Sequence, residues 1–451
     1  MQDKTVSGFS KWSKEEKVKW LAEHFFVDGE AYTEELSSFW HGNIDLQRIL
    51  DGFSENTVSN YIIPYGIAPN FLINDQIYAI PMAIEESSVV AAASSAAKFW
   101  LNRGGFKAEV LSTKKLGQVH FTWKGSPDKL QAHFAKLELE LRKETAYLTT
   151  NMEGRGGGVT DIELRDLNHL EPNYYQLMVS FETCDSMGAN FINSVLEEFA
   201  QILKNFVSRQ KAFTAEEKQV KIVMAILSNY TPDCLVHVEV ECPVDQLKGA
   251  CEEMDGTTFA EKFATAIRIA NIDPYRATTH NKGIFNGVDA VVMATANDFR
   301  AVEACGHAYA ARDGQYRSLS YCEIENGVFR FWLDLPLALG TVGGLTTLHP
   351  LAKRSLELLG NPSAEELMMI IATTGLAQNF AAVRSLVTTG IQQGHMKMHL
   401  KNILNHLGAN ESECLQAEVH FSDKVVSFST VRKFLESIRN YKGQPIIVTR
   451  Q

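Results

Sequence analysis

The 451-residue sequence predicts an α+β protein with a large mixed α/β domain, a smaller α+β unit inserted into it, and a helical C-terminal unit. Three observations lead to this prediction. At roughly 150 residues per domain, the length corresponds to about three structural units. Strand-like and helix-like hydrophobic patterns alternate along the chain. The block 107–230 carries its own set of strands and helices, which is typical of a compact inserted unit.

The composition is that of a globular protein, with 45% hydrophobic and 22% charged residues and a net charge of −11. An acidic chain is a poor candidate for sequence-independent nucleic-acid binding, which needs a basic surface. Seven cysteines without a C-x-x-C pair argue against a disulfide framework and indicate a reducing cytosol. The uncharged stretches 56–74 and 335–352 are too polar for a membrane span. We therefore expect a cytoplasmic protein that binds neither nucleic acid nor membrane.

The first hundred residues divide into three parts. Residues 11–51 have apolar side chains at helical spacing and are predicted to be largely helical. Residues 55–83 contain β-branched and aromatic clusters interrupted by proline, which indicates strands and turns. A helix then follows, with Ser87 or Ser88 as its cap and Gly104-Gly105 as its end.

The rest of the chain alternates between the same two patterns. Within 107–230 the predicted order is strand, strand, helix, a glycine-rich turn, strand, strand and a long amphipathic helix. A second α/β block covers 231–390, where the apolar run AVVMATA suits either a strand or a buried helix. The tail after Gly394 begins with a helical pattern, which predicts a small C-terminal unit.

A glycine-rich segment, NMEGRGGGVTD, occupies residues 151–161. Glycine lets a backbone approach a ligand and adopt a positive φ. Asp161 follows the glycines, where a carboxylate can accept hydrogen bonds from ribose hydroxyls. Taken alone, however, the segment is better explained as a tight loop.

The segment CDSMGAN follows a predicted strand and opens a helix. Helix N-termini bind phosphate through free N–H groups and the helix dipole. Gly188 removes a side chain at the place where a pyrophosphate would approach. The segment lacks the G-x-G-x-x-G pattern, so a Rossmann site is not supported, and a capped helix packed on a sheet is the alternative.

Polar residues are concentrated among small residues in the segment 273–310, which holds Arg276, His280, Lys282, Asn286 and Asp298. Asp298 follows an apolar run, so we expect its carboxylate to be partly desolvated and to need a partner such as Lys282. A purely structural ion pair would give the same spacing.

Two further segments hold candidate acids and bases. Glu85 and Glu86 precede a predicted helix, where carboxylates are favoured for capping alone. His395 and His399 follow a helix broken by glycines, and histidine is the natural proton donor near neutral pH. Without an acidic third ligand we predict no metal site there, and two solvated surface histidines explain the pattern equally simply.

Taken together, these segments resemble the 3-hydroxy-3-methylglutaryl-CoA reductase family in its soluble, class II form. The resemblance extends from ENTVSNYIIPYGIAPNFLIN to GIQQGHMKMH. Its most specific stretches are EESSVVAAAS, DPYRATTHNKGIFNGVDAVVMATANDFRAVEACGHAYA and GLAQNFAAVRSLVTTGIQQGHMKMH. One departure is EESS, where many relatives have E-E-P-S, and the missing proline should loosen the start of that helix slightly.

The resemblance implies a full set of site residues. The catalytic residues it implies are Glu86, Lys282, Asp298 and His395. The substrate-binding residues it implies are Ser88, Arg276, Asn286 and Gln378. The residues it implies for binding NADPH or NADH are Gly156, Gly157, Gly158, Asp161, Asp185, Met187, Gly188, Asn190 and Asn229.

The implied reaction is the four-electron reduction of a CoA thioester to mevalonate and free coenzyme A, using two NAD(P)H. Lys282 would stabilise the oxyanion formed by each hydride addition. Glu86 would protonate the aldehyde oxygen, and Asp298 would hold Glu86 and Lys282 in one hydrogen-bonded cluster. His395 would protonate the departing thiolate of coenzyme A.

The resemblance also implies a domain division and an assembly. The large catalytic domain would cover 1–106 and 231–390, and a C-terminal flap would cover 391–451. The inserted unit, 107–230, would be a ferredoxin-like, non-Rossmann dinucleotide-binding domain. The chain would form a homodimer or a larger homo-oligomer whose subunits share active sites.

Several alternatives remain at this point. The same enzyme could run in the degradative direction and oxidise mevalonate. A nicotinamide-independent acyl-CoA-binding or lyase protein could use Glu86 and Lys282 instead. A non-catalytic relative would be expected to lack one of the four catalytic residues, and none is lacking. Asp161 near the 2′-hydroxyl would repel a 2′-phosphate, which favours NADH over NADPH.

Overall fold

The computed structural model describes residues 4–251, 254–388, 400–422, 424 and 426–441. Over these residues the strands form one two-stranded sheet and two four-stranded sheets, all antiparallel. The buried apolar side chains form three separate clusters. This mixed architecture confirms the predicted α+β fold class.

The N-terminal segment is helical, as predicted over 11–51. After a 3-10 turn at Phe9–Lys11, the helices are α1 (Lys14–Phe25), α2 (Gly29–Ser38) and α3 (Ile44–Asp51). The strands β1 (Tyr65–Ile73) and β2 (Gln76–Ala83) follow as an antiparallel hairpin. The hairpin turns through Asn74 and Asp75, whose φ angles are 46° and 69°. Asn and Asp tolerate this left-handed conformation, which a two-residue hairpin requires.

Helix α4 (Val89–Leu101) ends shortly before the predicted Gly104-Gly105 and begins differently from the prediction. Ser88 occupies the N-cap position, yet its side chain makes no capping hydrogen bond. The reason is its backbone, which is left-handed with φ 75°, whereas a side-chain cap uses an extended conformation. The Ser88 hydroxyl is therefore not used to hold the helix.

The large sheet has the order β3-β8-β10-β9. Its strands are β3 (Lys107–Val110), β8 (Leu235–Pro243), β9 (Ser320–Glu325) and β10 (Val328–Pro336). The sequence division placed residues 107–110 in the inserted unit, but the structure pairs them with β8, with Ala108 opposite Val238. The chain leaves the large sheet only after Val110, which moves the start of the inserted unit beyond β3.

The helices of this part pack against the sheet and against each other. After a 3-10 turn at Val244–Leu247 they are α8 (Gly256–Ile272), α9 (Pro274–Ala294), α10 (Phe299–Ala310), α11 (Leu345–Leu348), α12 (Pro350–Leu358) and α13 (Ala364–Val387). The run AVVMATA falls mostly within α9, so it forms a buried helix and not a strand. Helices α9 and α13 approach closely, since a Cβ on Gly287 would lie 2.7 Å from the Thr374 carbonyl oxygen.

Helix α13 is long and apolar enough, among the described residues, to cross a membrane. However, 83% of the 18-residue window that meets this criterion is buried inside the protein. Burial of this kind is typical of the central helix of a globular core.

The inserted unit contains four strands and three helices. They are β4 (Lys115–Trp123), α5 (Pro127–Glu144), α6 (Ala146–Glu153), β5 (Gly158–Asp166), β6 (Tyr174–Glu182), α7 (Ala189–Arg209) and β7 (Val220–Ser228). The antiparallel sheet has the order β5-β6-β4-β7. A βαββαβ sequence with this strand order is the ferredoxin-like arrangement, which the fold prediction specified.

The chain passes between the two units at two neighbouring segments, 111–114 and 229–235. The backbones of Ser112 and Leu235 exchange hydrogen bonds of 2.9 and 3.3 Å. Lys114 Nζ lies 2.5 Å from Asp233 Oδ2 beside them. The exit and the entry of the inserted unit are therefore in direct contact. The other domain limits given above stay predictions.

The C-terminal unit is helical where it is described. Helix α14 is described over 400–406, and α15 (Glu411–His420) and α16 (Phe428–Tyr441) follow it. These helices have a small apolar core of their own, built from Leu400, Ile403, Leu404, Ala417, Phe421, Val431 and Leu435.

Candidate active site

The structure brings two of the four predicted catalytic residues together. Glu86 lies between β2 and α4, and Lys282 lies on α9, which packs against both of these elements. Lys282 Nζ is 2.5 Å from Glu86 Oε2. The two side chains are 59% and 37% exposed, so a ligand can reach the pair from solvent.

Two polar side chains of the predicted substrate site have buried oxygen atoms without a partner among the described residues. Ser88 Oγ and Gln378 Oε1 are buried and make no hydrogen bond with the described residues. Gln378 is only 6% exposed and lies on α13 against Gly287, the neighbour of the predicted substrate residue Asn286. Buried polar groups are normally hydrogen-bonded, so two without partners indicate a place where a polar ligand binds.

Arg276 adds a positive charge to the same end of α9. It is half-buried, and burial lowers the pKa of its guanidinium with no carboxylate in the described part of the chain opposing the effect. It lies six residues before Lys282 on the helix, which corresponds to about 9 Å. A guanidinium without an acidic partner is suited to gripping a carboxylate or another anion.

A buried histidine on α9, His280, links this helix to neighbouring elements through hydrogen bonds. His280 is 2% exposed, and its Nε2 lies 2.7 Å from Ser320 Oγ, which donates to Asn379 Oδ1 at 2.8 Å. Burial, with a smaller effect from the Arg276 charge, lowers the pKa of His280 to about 3. His280 is therefore neutral and structural. The sequence analysis missed this network because its members lie 40 and 59 residues apart.

Asp298 does not join Glu86 and Lys282 in this chain. Its Oδ1 accepts the backbone N–H groups of Arg300 and Ala301 at 3.1 and 3.3 Å, which caps α10, and it forms an ion pair with the Arg300 guanidinium. Helix α9 continues unbroken for twelve residues beyond Lys282 before the chain turns to Asp298, a length of about 18 Å. Within the described part of one chain, Asp298 is therefore bonded to Arg300 and Ala301, and the three-residue cluster stays a prediction.

Two opposing effects act on the Asp298 carboxyl. Partial burial raises its pKa, but the Arg300 guanidinium and the backbone N–H groups of Arg300 and Ala301 outweigh burial and lower it below the ordinary value. Asp298 is accordingly a carboxylate at neutral pH.

Residues 183–188, which we call the α7 turn, lead from β6 into helix α7. Gly188 occupies the N-cap with φ 88°, and no side chain caps the helix. The first backbone N–H groups of α7 are thus left free at the positive end of a 21-residue helix. This arrangement fits an anionic group such as a diphosphate.

Asp185 has a structural role in this turn that the sequence analysis did not foresee. Its Oδ1 accepts the N–H of Ala364, the first residue of α13, at 2.8 Å. Its backbone oxygen accepts the N–H of Thr341 at 2.8 Å and that of Val342 at 3.3 Å. At least one carboxylate oxygen of this predicted cofactor residue therefore fixes the turn to the large unit.

The α7 turn also lies beside the segment that holds Asp298. Asn297 Oδ1 accepts the N–H of Gly340 at 2.9 Å. A Cβ on Gly340 would lie 2.4 Å from the backbone nitrogen of Met187, so only glycine fits between them. Asn297 and the α7 turn are thus joined through one residue.

The remaining predicted dinucleotide residues lie around the start of α7. Asn190 is exposed in the first turn, and Met187 and Asn229 line a small cavity beneath it. Cys184 Sγ donates to the Arg155 carbonyl at 3.3 Å, which places the glycine-rich segment next to the α7 turn. Asp161 is exposed on β5 at an irregularity of the strand pairing.

The three glycines are needed for the loop itself. Gly156 and Gly158 have φ angles of 94° and 120°. A Cβ on Gly157 would lie 2.6 Å from the Glu182 carbonyl oxygen and 2.9 Å from Met152. The tight-loop interpretation therefore accounts for all three, whatever ligand the loop contacts.

His395 and His399 lie outside the described residues, so the structure says nothing of their surroundings. Within the described ranges, no group of three or more His, Cys, Asp and Glu side chains has the geometry of a metal site.

The predicted site residues thus fall into two groups, one beside the N-terminal half of α9 and one beyond its C-terminus. We call Glu86, Ser88, Arg276 and Lys282 the pair end, and Asp298 with the α7 turn the turn end. The family model for hydroxymethylglutaryl-coenzyme A reductase matches residues 13–400, which include both ends. The chain belongs to this family.

Related proteins of known name agree with this family assignment. The chain is 35% identical over 437 residues to the 3-hydroxy-3-methylglutaryl-coenzyme A reductase of Archaeoglobus fulgidus, covering 96% of this chain and 95% of that one. It is 32% identical over 399 residues to a probable reductase of Borreliella burgdorferi, covering 86% of this chain and 88% of the other.

Solved structures of family members have the same fold. A reductase structure from Streptococcus pneumoniae matches with a TM-score of 0.71 and 37% identity, covering 96% of this chain and 100% of that one. A class II reductase structure from the same organism, bound to NADPH in open conformations, matches with a TM-score of 0.70 and 37% identity over 85% of this chain and 100% of the other.

Proposed function

We propose that this chain reduces 3-hydroxy-3-methylglutaryl-CoA to mevalonate and coenzyme A, with NADPH as its dinucleotide. The observation that carries the proposal is the Glu86–Lys282 pair at 2.5 Å, together with the buried oxygens of Ser88 and Gln378, which have no partner among the described residues. The choice of NADPH is supported by the class II relative from Streptococcus pneumoniae, which was bound to NADPH. The exposed Asp161 is the feature that favours NADH instead.

The residues at the pair end divide the chemical tasks. The Lys282 ammonium stabilises the negative charge that develops on the carbonyl oxygen in each reduction. Glu86, in contact with Lys282, exchanges a proton with that oxygen. Arg276 binds the substrate carboxylate, and Ser88 Oγ supplies a further hydrogen bond to it. The dinucleotide, when bound, supplies the hydride, and the free N–H groups of α7 hold its diphosphate.

The activity is tested by mixing the purified chain with NADPH and 3-hydroxy-3-methylglutaryl-CoA. We expect reduced nicotinamide to disappear, with two molecules consumed for each mevalonate formed. Thioester binding or cleavage without loss of NADPH would favour the acyl-CoA-binding or lyase alternative. Matched kcat/KM values for NADPH and NADH, and the rate of mevalonate oxidation with each oxidised dinucleotide, then decide cofactor preference and direction.

We further propose that a second copy of the chain completes each active site. The predicted catalytic cluster combines Asp298 with Glu86 and Lys282, yet in one chain α9 runs on for about 18 Å beyond Lys282 before the chain turns to Asp298. A homodimer that places the turn end of one subunit against the pair end of its partner supplies all three groups.

Subunit complementation tests this assembly. Lys282→Ala and Asp298→Asn are each expected to be nearly inactive. If sites are shared, mixed dimers contain one site with both wild-type residues, so an equal mixture should regain about a quarter of the wild-type activity. Sites contained within one chain would give no recovery, because every site would then lack one residue. Asn is a suitable N-cap, so Asp298→Asn should keep α10 intact.

His395 is proposed as the acid that protonates the departing thiolate. The discriminating experiment compares thioester reduction with the reduction of free mevaldehyde in His395→Gln. We expect thioester reduction to fall and mevaldehyde reduction to survive. Equal loss of both would show that His395 does not have this role.

We also propose a cytoplasmic location, in keeping with the seven cysteines, none of which is in a disulfide.

A further inference from the structure

Lys115 is a buried lysine at the base of the α7 turn. It is the first residue of β4 and is only 4% exposed. Its Nζ donates to Thr183 Oγ1 at 2.5 Å and to the Ser186 carbonyl at 3.1 Å. The Thr183 hydroxyl donates in turn to the same Ser186 carbonyl at 2.6 Å. One ammonium therefore ties together both halves of the turn.

Burial of the Lys115 ammonium has an unfavourable free energy. Burial lowers its pKa, and the acidic and thiol groups nearby, of which Glu182 and Asp185 are the carboxylates, only partly oppose the effect. Among the described residues none of these carboxylates comes within 4 Å of its Nζ to form an ion pair. A charge buried with hydrogen bonds but without an ion pair costs stability, so the position requires a compensating benefit.

The α7 turn is attached to the protein on two sides. On its other side the turn is fixed to the large unit by the bonds from Asp185 to Thr341 and Ala364. Lys115 supplies the matching attachment to the sheet of the inserted unit. It also lines the same small cavity as the predicted dinucleotide residues Met187 and Asn229.

We propose that Lys115 is a positioning residue for dinucleotide binding. Its ammonium holds residues 183–186 in the shape that directs the free N–H groups of α7 toward the diphosphate. The inference rests on the proposed function, since it assumes that the dinucleotide binds at the α7 turn. Lys115 acts through the turn and need not touch the dinucleotide.

Lys115→Met is the direct test, because methionine has a similar length and lacks the charge. We expect the Kd for NADPH, measured by equilibrium fluorescence titration, to rise about tenfold, and the KM for NADPH to rise with it. The KM for 3-hydroxy-3-methylglutaryl-CoA should stay within about twofold, because the pair end is unaffected. Lys114→Met is the matched control, since Lys114 is half-exposed and pairs with Asp233, and it should leave both constants unchanged.

An unchanged Kd for NADPH in folded Lys115→Met would overturn the inference, as would equal increases in the constants for both substrates. If Lys115→Met does not fold, Thr183→Val removes the shared hydroxyl and keeps the lysine, and it should raise the Kd for NADPH in the same direction. Unaltered NADPH binding in that variant would again overturn the inference. Wild-type chain that binds NADPH but does not oxidise it would refute the proposed function and leave the binding test intact.

Discussion

The two ends of α9 differ in how their polar groups are satisfied. At the pair end, Ser88 Oγ and Gln378 Oε1 are buried without partners and Arg276 has no acidic neighbour among the described residues. At the turn end, the carboxylates of Asp298 and Asp185 each accept a backbone N–H at the start of a helix. The carboxylates of Asp298 and Asp185 therefore stabilise local structure. The unpartnered oxygens and the guanidinium at the pair end do not.

This contrast separates two ways of making a binding site. Under the proposed function, the pair end leaves side-chain groups without protein partners so that they can bind a ligand, at a cost in stability. The turn end uses its side chains to fix a backbone shape, and the proposed binding groups are backbone N–H groups. Mutations at the first end should therefore change activity more than stability, and mutations at the second should change both.

Lys282→Ala should give the largest loss of activity with the smallest loss of stability, as expected of the pair end. Removal of a preorganised donor to an oxyanion typically costs on the order of 100- to 1,000-fold in kcat. Because Lys282 is largely exposed, the thermal unfolding midpoint should hardly change. Steady-state kinetics and calorimetry measure both quantities, and the exposed Lys262 on α8 provides a control for loss of a lysine. A large fall in the midpoint would show that the pair end is structural after all.

Asp289 lies between the two ends, on the same face of α9 as Lys282 and Asn286, and tests whether unsatisfied groups cost stability. Burial, followed by the charge and hydrogen bonding of Glu303, raises the pKa of Asp289 to about 8, and its Oδ1 has no partner in the described part of the chain. A carboxyl whose pKa is raised by folding stabilises the native state at low pH. This contribution is lost as pH rises from about 4, the value of the unfolded chain, through about 8.

Asp289→Asn should therefore be more stable than the wild type at pH 8, by on the order of 2 to 5 kcal/mol, and the gain should shrink as pH falls toward 4. Denaturant unfolding at several pH values measures this difference. Asp313→Asn, at an exposed position, should show no such trend. A gain that is independent of pH would contradict the raised pKa.

Ser88→Ala isolates a reserved group without removing a charge. The hydroxyl has no hydrogen-bond partner among the residues that the structure describes, so the unfolding midpoint should stay the same or rise. The KM for 3-hydroxy-3-methylglutaryl-CoA should rise about tenfold, the value of one hydrogen bond to a charged group. Ser87→Ala is the adjacent control. Loss of stability without a change in KM would mean that the Ser88 hydroxyl stabilises the fold and does not bind the substrate.

Asp185→Ala should give the smallest effect, and we expect it in stability, whereas Ser88→Ala should change KM. It removes the acceptor for the Ala364 N–H, which should cost about 1 kcal/mol of unfolding free energy. Asp161→Ala is the matched control, because Asp161 is exposed and caps no helix, and its stability should equal that of the wild type. Equal stability in the two variants would remove the anchoring role of Asp185.

The sequence predicts the fold better than it predicts the site. Strand alternation and helix periodicity locate most elements, and the family resemblance supplies the ferredoxin-like arrangement. The position of Asp298 could not be predicted, because the spacing from Lys282 does not show that α9 continues unbroken between them. The run AVVMATA was ambiguous because a fully buried segment loses its periodicity in either form.

The buried position of Lys115 could have been predicted from the alternation of residues along β4. In β4, residues 115, 117, 119, 121 and 123 alternate with half-buried neighbours and are all buried. Val119, Phe121 and Trp123 belong to the apolar core, so the period-two pattern places the lysine on the inward face. A charged residue on the core face of a strand deserves the same scrutiny as a sequence motif.

The contact between Ser112 and Leu235 has a consequence for how such a chain can change over time. An insertion whose two ends meet can be lengthened, shortened or exchanged as a cassette while β3 and β8 remain paired. The pairing of β3 with β8 lies outside such a change, whereas the contacts of Asp185 with Thr341 and Ala364 would have to be kept. Under the proposed function, dinucleotide preference could therefore change through the inserted unit while the host sheet and these contacts stay the same.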